Sequence, residues 1–159
     1  MRNHLFNTEK INYVNGDKPR VECILCAIRD GEPSVRNLTV ARAEGFIVSV
    51  NLYPFNPAHL MIFPEKHITG PDEFSRGEAL ALHDLTIKSI QAIDSEFSPD
   101  GYNIGYNIGK SSGASIEHLH LHIVPRYCNE VGFLDIISGT RTVVIDPREV
   151  VKRLKARFE

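Results

Sequence analysis

No apolar run in this chain approaches the roughly 20 residues that a membrane-spanning helix needs, which argues against an integral helical membrane protein. Residues 1 to 20 are polar and mixed in charge, without the apolar stretch of a secretory signal. A basic excess is missing as well: 18 Lys and Arg stand against 20 Asp and Glu, a formal net charge of -2 with seven neutral histidines. Bulk binders of nucleic acid or of membrane surfaces are normally basic, so neither class is supported. A cytoplasmic protein with small-molecule partners is the expectation. Cysteines are few and odd in number, three in all. Cys23 and Cys26 form a Cys-x-x-Cys pair, which without an export signal reads as a metal or redox pair before a structural disulfide. Cys128 stands alone and reads as a small buried hydrophobe.

What is present is an ordinary globular balance: 159 residues, 42% hydrophobic and 24% charged. That length suits one domain and can bury a core of its own. A weakly patterned lead covers residues 1 to about 20. Val21 to Ile28 carries the cysteine pair, and Arg29 to Ser34 reads as a loop from its Gly and Pro. Leu38–Ala41 and Phe46–Val50 read as strand, turn, strand. Leu60–Phe63 is another short apolar run between Pro57 and Pro64. Pro71–Phe97 reads as a helix with an acidic first turn and an apolar stripe of Ala79, Leu82, Thr86, Ile90, Ile93 and Phe97. Tyr102–Gly109 reads as one strand, Gly109–Ser115 as a small-residue loop, and Glu117–Val124 as a strand. Asp146-Pro147 opens a last helix whose apolar face holds Val150, Val151, Leu154 and Phe158. The order predicts a single α+β domain over 1–159, with an antiparallel sheet, one long helix and a C-terminal helix. Its core runs over 21–126 and its tail over 127–159.

The informative stretch is Glu117-His118-Leu119-His120-Leu121-His122-Ile123-Val124-Pro125. Along a strand, His118, His120 and His122 share one face at spacings of about 6–7 Å, and Leu119, Leu121 and Ile123 share the other. Three readings stand: an exposed histidine-rich face, a metal site using all three, or a phosphoryl-transfer site. The loop Gly109-Lys110-Ser111-Ser112-Gly113-Ala114-Ser115 favours the last, because its backbone N–H groups and hydroxyls suit an anion. A neutral imidazole is a good nucleophile near pH 7, and its phosphorus adduct is labile enough to turn over. One histidine should therefore attack while its neighbours hold the phosphate.

These residues resemble the histidine triad (HIT) superfamily, marked by His-x-His-x-His and two apolar residues, here His118 to Val124. A second match is Asn51 to His67, similar to the family's Asn/Asp…Pro-Gly/Ala-His…Pro-x-x-His segment. The resemblance covers about Cys23 to Arg126. The tail with Ile137-Ser138-Gly139-Thr140 is similar to the bacterial diadenosine tetraphosphate phosphorylase branch.

The resemblance implies a HIT-like fold, a homodimer and a set of roles. His120 would be the nucleophile, and His122 and His59 would contact the phosphate. Asn107 and Ser115 would bind phosphate oxygens, Gly113 would belong to the substrate-binding set, Asn51 would hold the ribose, and Ile24, Leu25 and Ile28 would line the base pocket. Cys23, Cys26, His67 and His118 would hold a structural zinc ion, as in some members and in the related galactose-1-phosphate uridylyltransferases; no organic cofactor is implied. The expected reaction is cleavage of a dinucleoside polyphosphate through a nucleotidyl-histidine, with inorganic phosphate or water as second acceptor. Phosphoramidase action, a non-catalytic nucleotide-binding regulator and a zinc-stabilised interaction module are the rivals.

Overall fold

A computed structural model of the chain describes residues 19–128, 130 and 145–159; the lead before residue 19 and the Ile137-Ser138-Gly139-Thr140 segment lie outside them. Five strands form one antiparallel sheet: β1 (Thr39–Ala43), β2 (Phe46–Val50), β3 (Leu60–Pro64), β4 (Gly101–Tyr106) and β5 (Leu121–Arg126). Their spatial order is β1-β2-β3-β5-β4. Among the described residues three α-helices accompany the sheet, α1 (Ile24–Asp30), α2 (Arg76–Phe97) and α3 (Pro147–Lys155), so the α+β class read from the sequence holds.

The β1–β2 hairpin closes on Glu44 and Gly45, at φ of 52° and 77°. A two-residue turn with both φ positive has the twist that antiparallel strands need, and the glycine makes the second position easy. In β2 and β3 every residue is buried, because both faces of the sheet are covered. Phe46, Val48 and Val50 of β2, Leu60 and Ile62 of β3, and Leu121 and Ile123 of β5 pack with residues of α2 and α3. Ile47, Met61 and Phe63 point the other way and pack with Leu25, Ala27 and Ile28 of α1. Met61 pairs with His122 across β3 and β5, so His122 belongs to the α1 face.

Several expectations need correction. The cysteine segment is helical: α1 starts at Ile24, with Cys23 as N-cap, and runs through Arg29 and Asp30, which the sequence assigns to a loop. Gly31 ends it at φ 73°, its N–H reaching the carbonyls of Ala27 and Ile28. The long helix begins only at Arg76, where Ser75 and Glu78 form a capping box; Pro71–Glu73 is a separate 3-10 turn. The helix's buried face is Leu82, Leu85, Ser89, Ala92 and Ile93, and Ala79 lies exposed. Cys128 is exposed, its backbone N–H donating to Asp100 Oδ2 at 2.6 Å.

The histidine strand starts later than its alternation suggests. Only Leu121 onward joins the ladder, and residues 117–120 lead into it outside any strand. Two bonds to the end of β3 and the chain after it hold that lead: Leu119 N–H donates to Ile68 O at 2.7 Å, and His118 Nε2–H to Pro64 O at 2.9 Å.

Candidate functional site

Cys23, Cys26, His67 and His118 come together, their ligand atoms all within 4.8 Å of one another. Cys23 Sγ accepts the Cys26 N–H at 3.5 Å, which sets the two sulfurs one helical turn apart. The Sγ atoms of Cys23 and Cys26 lie 3.4 and 3.5 Å from His118 Nδ1, and Cys26 Sγ lies 3.3 Å from His67 Nδ1. Zinc bonds of about 2.3 Å to sulfur and 2.0–2.1 Å to nitrogen, at tetrahedral angles, require sulfur and nitrogen ~3.5 Å apart. The cluster fits that requirement. A carbonyl only accepts, so the contact to Pro64 O puts the His118 proton on Nε2 and leaves the Nδ1 lone pair facing the sulfurs. Burial, with a smaller push from Cys23, raises the Cys26 thiol. A raised thiol is a poor redox nucleophile, which disfavours the redox reading of the pair.

The next two histidines face a cavity of about 570 Å³. Ile24, Leu25, Ile28, Asn51, Asn107, Gly113 and Ser115 also line it, so the nucleotide-contact set anticipated from the sequence converges on one space. His120 is 5% exposed and directs Nδ1 to the carbonyl of His118 at 2.8 Å. Nδ1 therefore carries the proton, and Nε2 holds a lone pair. Burial lowers the His120 pKa, against a smaller opposing effect of that carbonyl, so the ring is neutral at neutral pH.

His59 lies under this cavity wall, fully buried. The Phe55 N–H donates to His59 Nδ1 at 3.2 Å, which leaves the His59 proton on Nε2. That Nε2–H donates to His122 Nδ1 at 2.9 Å, and His122 in turn carries its proton on Nε2. Burial first, then the neighbouring imidazoles, holds His59 down at about 3; burial and His120 hold His122 at about 4. Asn51 has its Oδ1 occupied by the Tyr53 N–H at 2.9 Å, which turns its Nδ2 toward His59 at 3.4 Å.

The arrangement offers one imidazole lone pair, on His120, beside one imidazole N–H, on His122; their ring centroids are 4.7 Å apart. A nucleophile next to a neutral hydrogen-bond donor, both on largely buried rings, suits attack on an anionic phosphorus centre. Gly113 contributes backbone shape: its φ of 84° is a left-handed conformation that side chains disfavour. Sequence reasoning missed Arg36, Ser49, Tyr53, Phe55, Met61 and Ile116 among the lining residues. Ser49 and Met61 were findable, because alternation along β2 and β3 puts them on the face of His122. Phe55 carried no such signal, since its place depends on the loop before β3.

Residues 32–129 match the family model described as HIT domain; the span takes in His59, His67 and the three histidines 118, 120 and 122, and begins after the cysteine pair. Over 107 residues the chain is 38% identical to a Mycobacterium tuberculosis protein named AP-4-A phosphorylase, covering 67% of this chain and 55% of that protein. The chain thus spans about half the length of this relative. It is 27% identical over 131 residues to adenosine 5'-monophosphoramidase hnt1 of Schizosaccharomyces pombe, covering 82% of this chain and 91% of that protein. Among solved structures, a Zn-bound histidine triad family protein from Mycobacterium smegmatis superposes with a TM-score of 0.70 at 24% identity, covering 86% of this chain and 93% of that one, a likeness of fold. The family match, the sheet and the three consecutive alternate histidines agree: this chain belongs to the HIT domain family.

Proposed function

We propose that the protein cleaves dinucleoside polyphosphates of the diadenosine tetraphosphate class by way of a nucleotidyl-histidine, and passes the nucleotide to inorganic phosphate. One observation carries the reading: the His118 carbonyl accepts a hydrogen bond from His120 Nδ1–H, which frees the Nε2 lone pair beside the His122 N–H. His120 Nε2 attacks the α-phosphorus, the bond from phosphorus to the bridging oxygen breaks, and its electron pair leaves on the departing nucleotide. A phosphate oxygen then attacks the same phosphorus, and the electron pair of the nitrogen–phosphorus bond returns to Nε2. The leaving polyphosphate is already acidic, so little general acid is needed.

In this reading His122, steadied by His59, donates to the phosphate, and Asn107, Gly113 and Ser115 bind its other oxygens. Asn51 holds the ribose, and Ile24, Leu25 and Ile28 pack on the base. Cys23, Cys26, His67 and His118 would hold a structural Zn2+, which when bound cross-links α1 to the segment leading into β5. A homodimer belongs to the same reading. It is supported by the open edge of β4, where Ile104 is 44% exposed, and by Leu80 and Ile87 of α2, 61% and 42% exposed. The choice of phosphate over water is supported by the Mycobacterium tuberculosis relative's name.

Incubation with diadenosine tetraphosphate, with and without inorganic phosphate, tests the reading by chromatography of products. ADP plus ATP formed only when phosphate is present supports phosphorolysis. AMP plus ATP without phosphate replaces it by hydrolysis. His120→Ala should lower turnover by at least roughly 10³-fold while nucleotide binding persists; a near-normal rate rejects the nucleophile. The phosphoramidase rival, supported by the Schizosaccharomyces pombe relative, predicts faster turnover of adenosine phosphoramidate than of the dinucleotide.

A further inference from the structure

Phe55 is 60% exposed, yet it borders the same cavity as His120 and sits between tightly held residues. Asn56 and Ala58 are each 1% exposed. The Asn56 Nδ2 donates to Pro125 O at 2.6 Å and to Glu130 Oε1 at 2.8 Å. The Tyr127 hydroxyl donates to Pro57 O at 3.2 Å, and the Phe55 N–H is fixed on His59. An apolar ring held out on an anchored backbone loses little conformational freedom when a flat partner lands on it. One side of the ring stacks on His59, with centroids 5.5 Å apart and planes 21° apart.

The direction of the rings gives the partner. Phe55, His59, His122 and His120 follow one another at centroid steps of 5.5, 5.1 and 4.7 Å. The cysteines at the start of α1 lie at the other end, against His118, and Ile24, Leu25 and Ile28 of the same helix line the cavity. A nucleotide with its base on α1 and its α-phosphorus at His120 therefore sends the rest of its phosphate chain toward His122 and Phe55. The attacking atom and the leaving oxygen lie roughly in line, which also directs the leaving group away from His120.

We propose that Phe55 is the stacking platform for the second nucleobase of a dinucleoside polyphosphate, the base carried off on the leaving group. The inference rests on the catalytic reading above and adds why a substrate with two bases would be preferred to one with a single base. Stacking on an aromatic side chain tolerates any base, so the platform sets chain length and base count rather than base identity.

A matched pair of substrates tests it: diadenosine tetraphosphate and adenosine 5'-tetraphosphate differ only in the second nucleoside. The ratio of their kcat/KM values is measured for the wild type, Phe55→Tyr and Phe55→Leu. Phe55→Leu should lower the ratio by roughly 5- to 100-fold, chiefly through KM for the dinucleotide, and Phe55→Tyr should keep it. Equal losses on both substrates would mean that Phe55 acts only through His59, and would overturn this inference alone. An unchanged ratio overturns it equally. A wild-type protein that cleaves neither compound overturns the catalytic reading and this one with it.

Discussion

At the scale of single residues, the site is governed by where protons sit. One backbone N–H, that of Phe55, sets the tautomer of His59, and His59 sets that of His122. The three aligned imidazoles and His59 were legible in the sequence. The tautomers were not, because they depend on a loop amide and a carbonyl whose positions only the fold supplies. Ala58 is a similar case: it holds φ 61° while buried, a left-handed conformation that alanine reaches only at a cost of about 1–2 kcal/mol. It turns the chain from the Asn56 anchor into His59.

The proton arrangement has a consequence for stability. His59 and His122 have folded pKa values of about 3 and 4, below the ordinary 6.5. Between those limits the unfolded chain binds protons that the folded chain refuses. Their contribution is therefore complete above pH 6.5 and is lost as the pH falls toward 4 and then 3. Urea unfolding at pH 7, 6 and 5 should show stability falling by about 1–2 kcal/mol per pH unit, the half-buried His122 being partly screened by water. His59→Gln should flatten that slope. An equal slope in the variant would place the pH dependence elsewhere.

At the scale of elements, α1 and the lead into β5 are joined through the side chains of Cys23, Cys26 and His118. The sequence showed the cysteine pair and hid the helix, because a seven-residue helix capped by a cysteine has none of the usual start signals. It overran the start of β5 for a related reason: alternation continues through any extended segment, and only a neighbouring strand makes it a ladder. Residues 117–120 have no such neighbour and are held by Pro64 and Ile68 instead. His118 contributes its ring to the cysteine cluster and its carbonyl to His120, so the cluster and the proposed nucleophile share one residue. Cys26→Ser should reduce bound zinc well below one equivalent per chain by metal analysis. It should also lower the melting temperature by ~5–10 °C and reduce turnover more than nucleotide affinity. Unchanged melting and zinc content would reject the four-residue set.

At the scale of the whole molecule, the sheet divides its labour by face. Leu60 and Ile62 of β3 pack toward α2 and α3, while Met61 and Phe63 face α1 and the side of His122. The α+β class and all five strands were legible because hydrophobic runs and turn residues report on local chain geometry. The strand order, with β5 inserted between β3 and β4, was not, since no local pattern encodes which strands become neighbours. Truncations along β3 should split accordingly. Ile62→Ala should cost about 2–5 kcal/mol in urea unfolding. Met61→Ala, on the cavity wall, should alter KM for nucleotide by a larger factor than it alters the unfolding midpoint.

Helix α1, capped by Cys23 and Gly31, and the loop between Asn51 and Ala58 reach the histidines from opposite ends of the row. If the proposed function holds, lineages descended from such a scaffold retune which first base is admitted and how long a bridge to the second is accepted by independent changes, each segment drifting without disturbing the imidazoles between them.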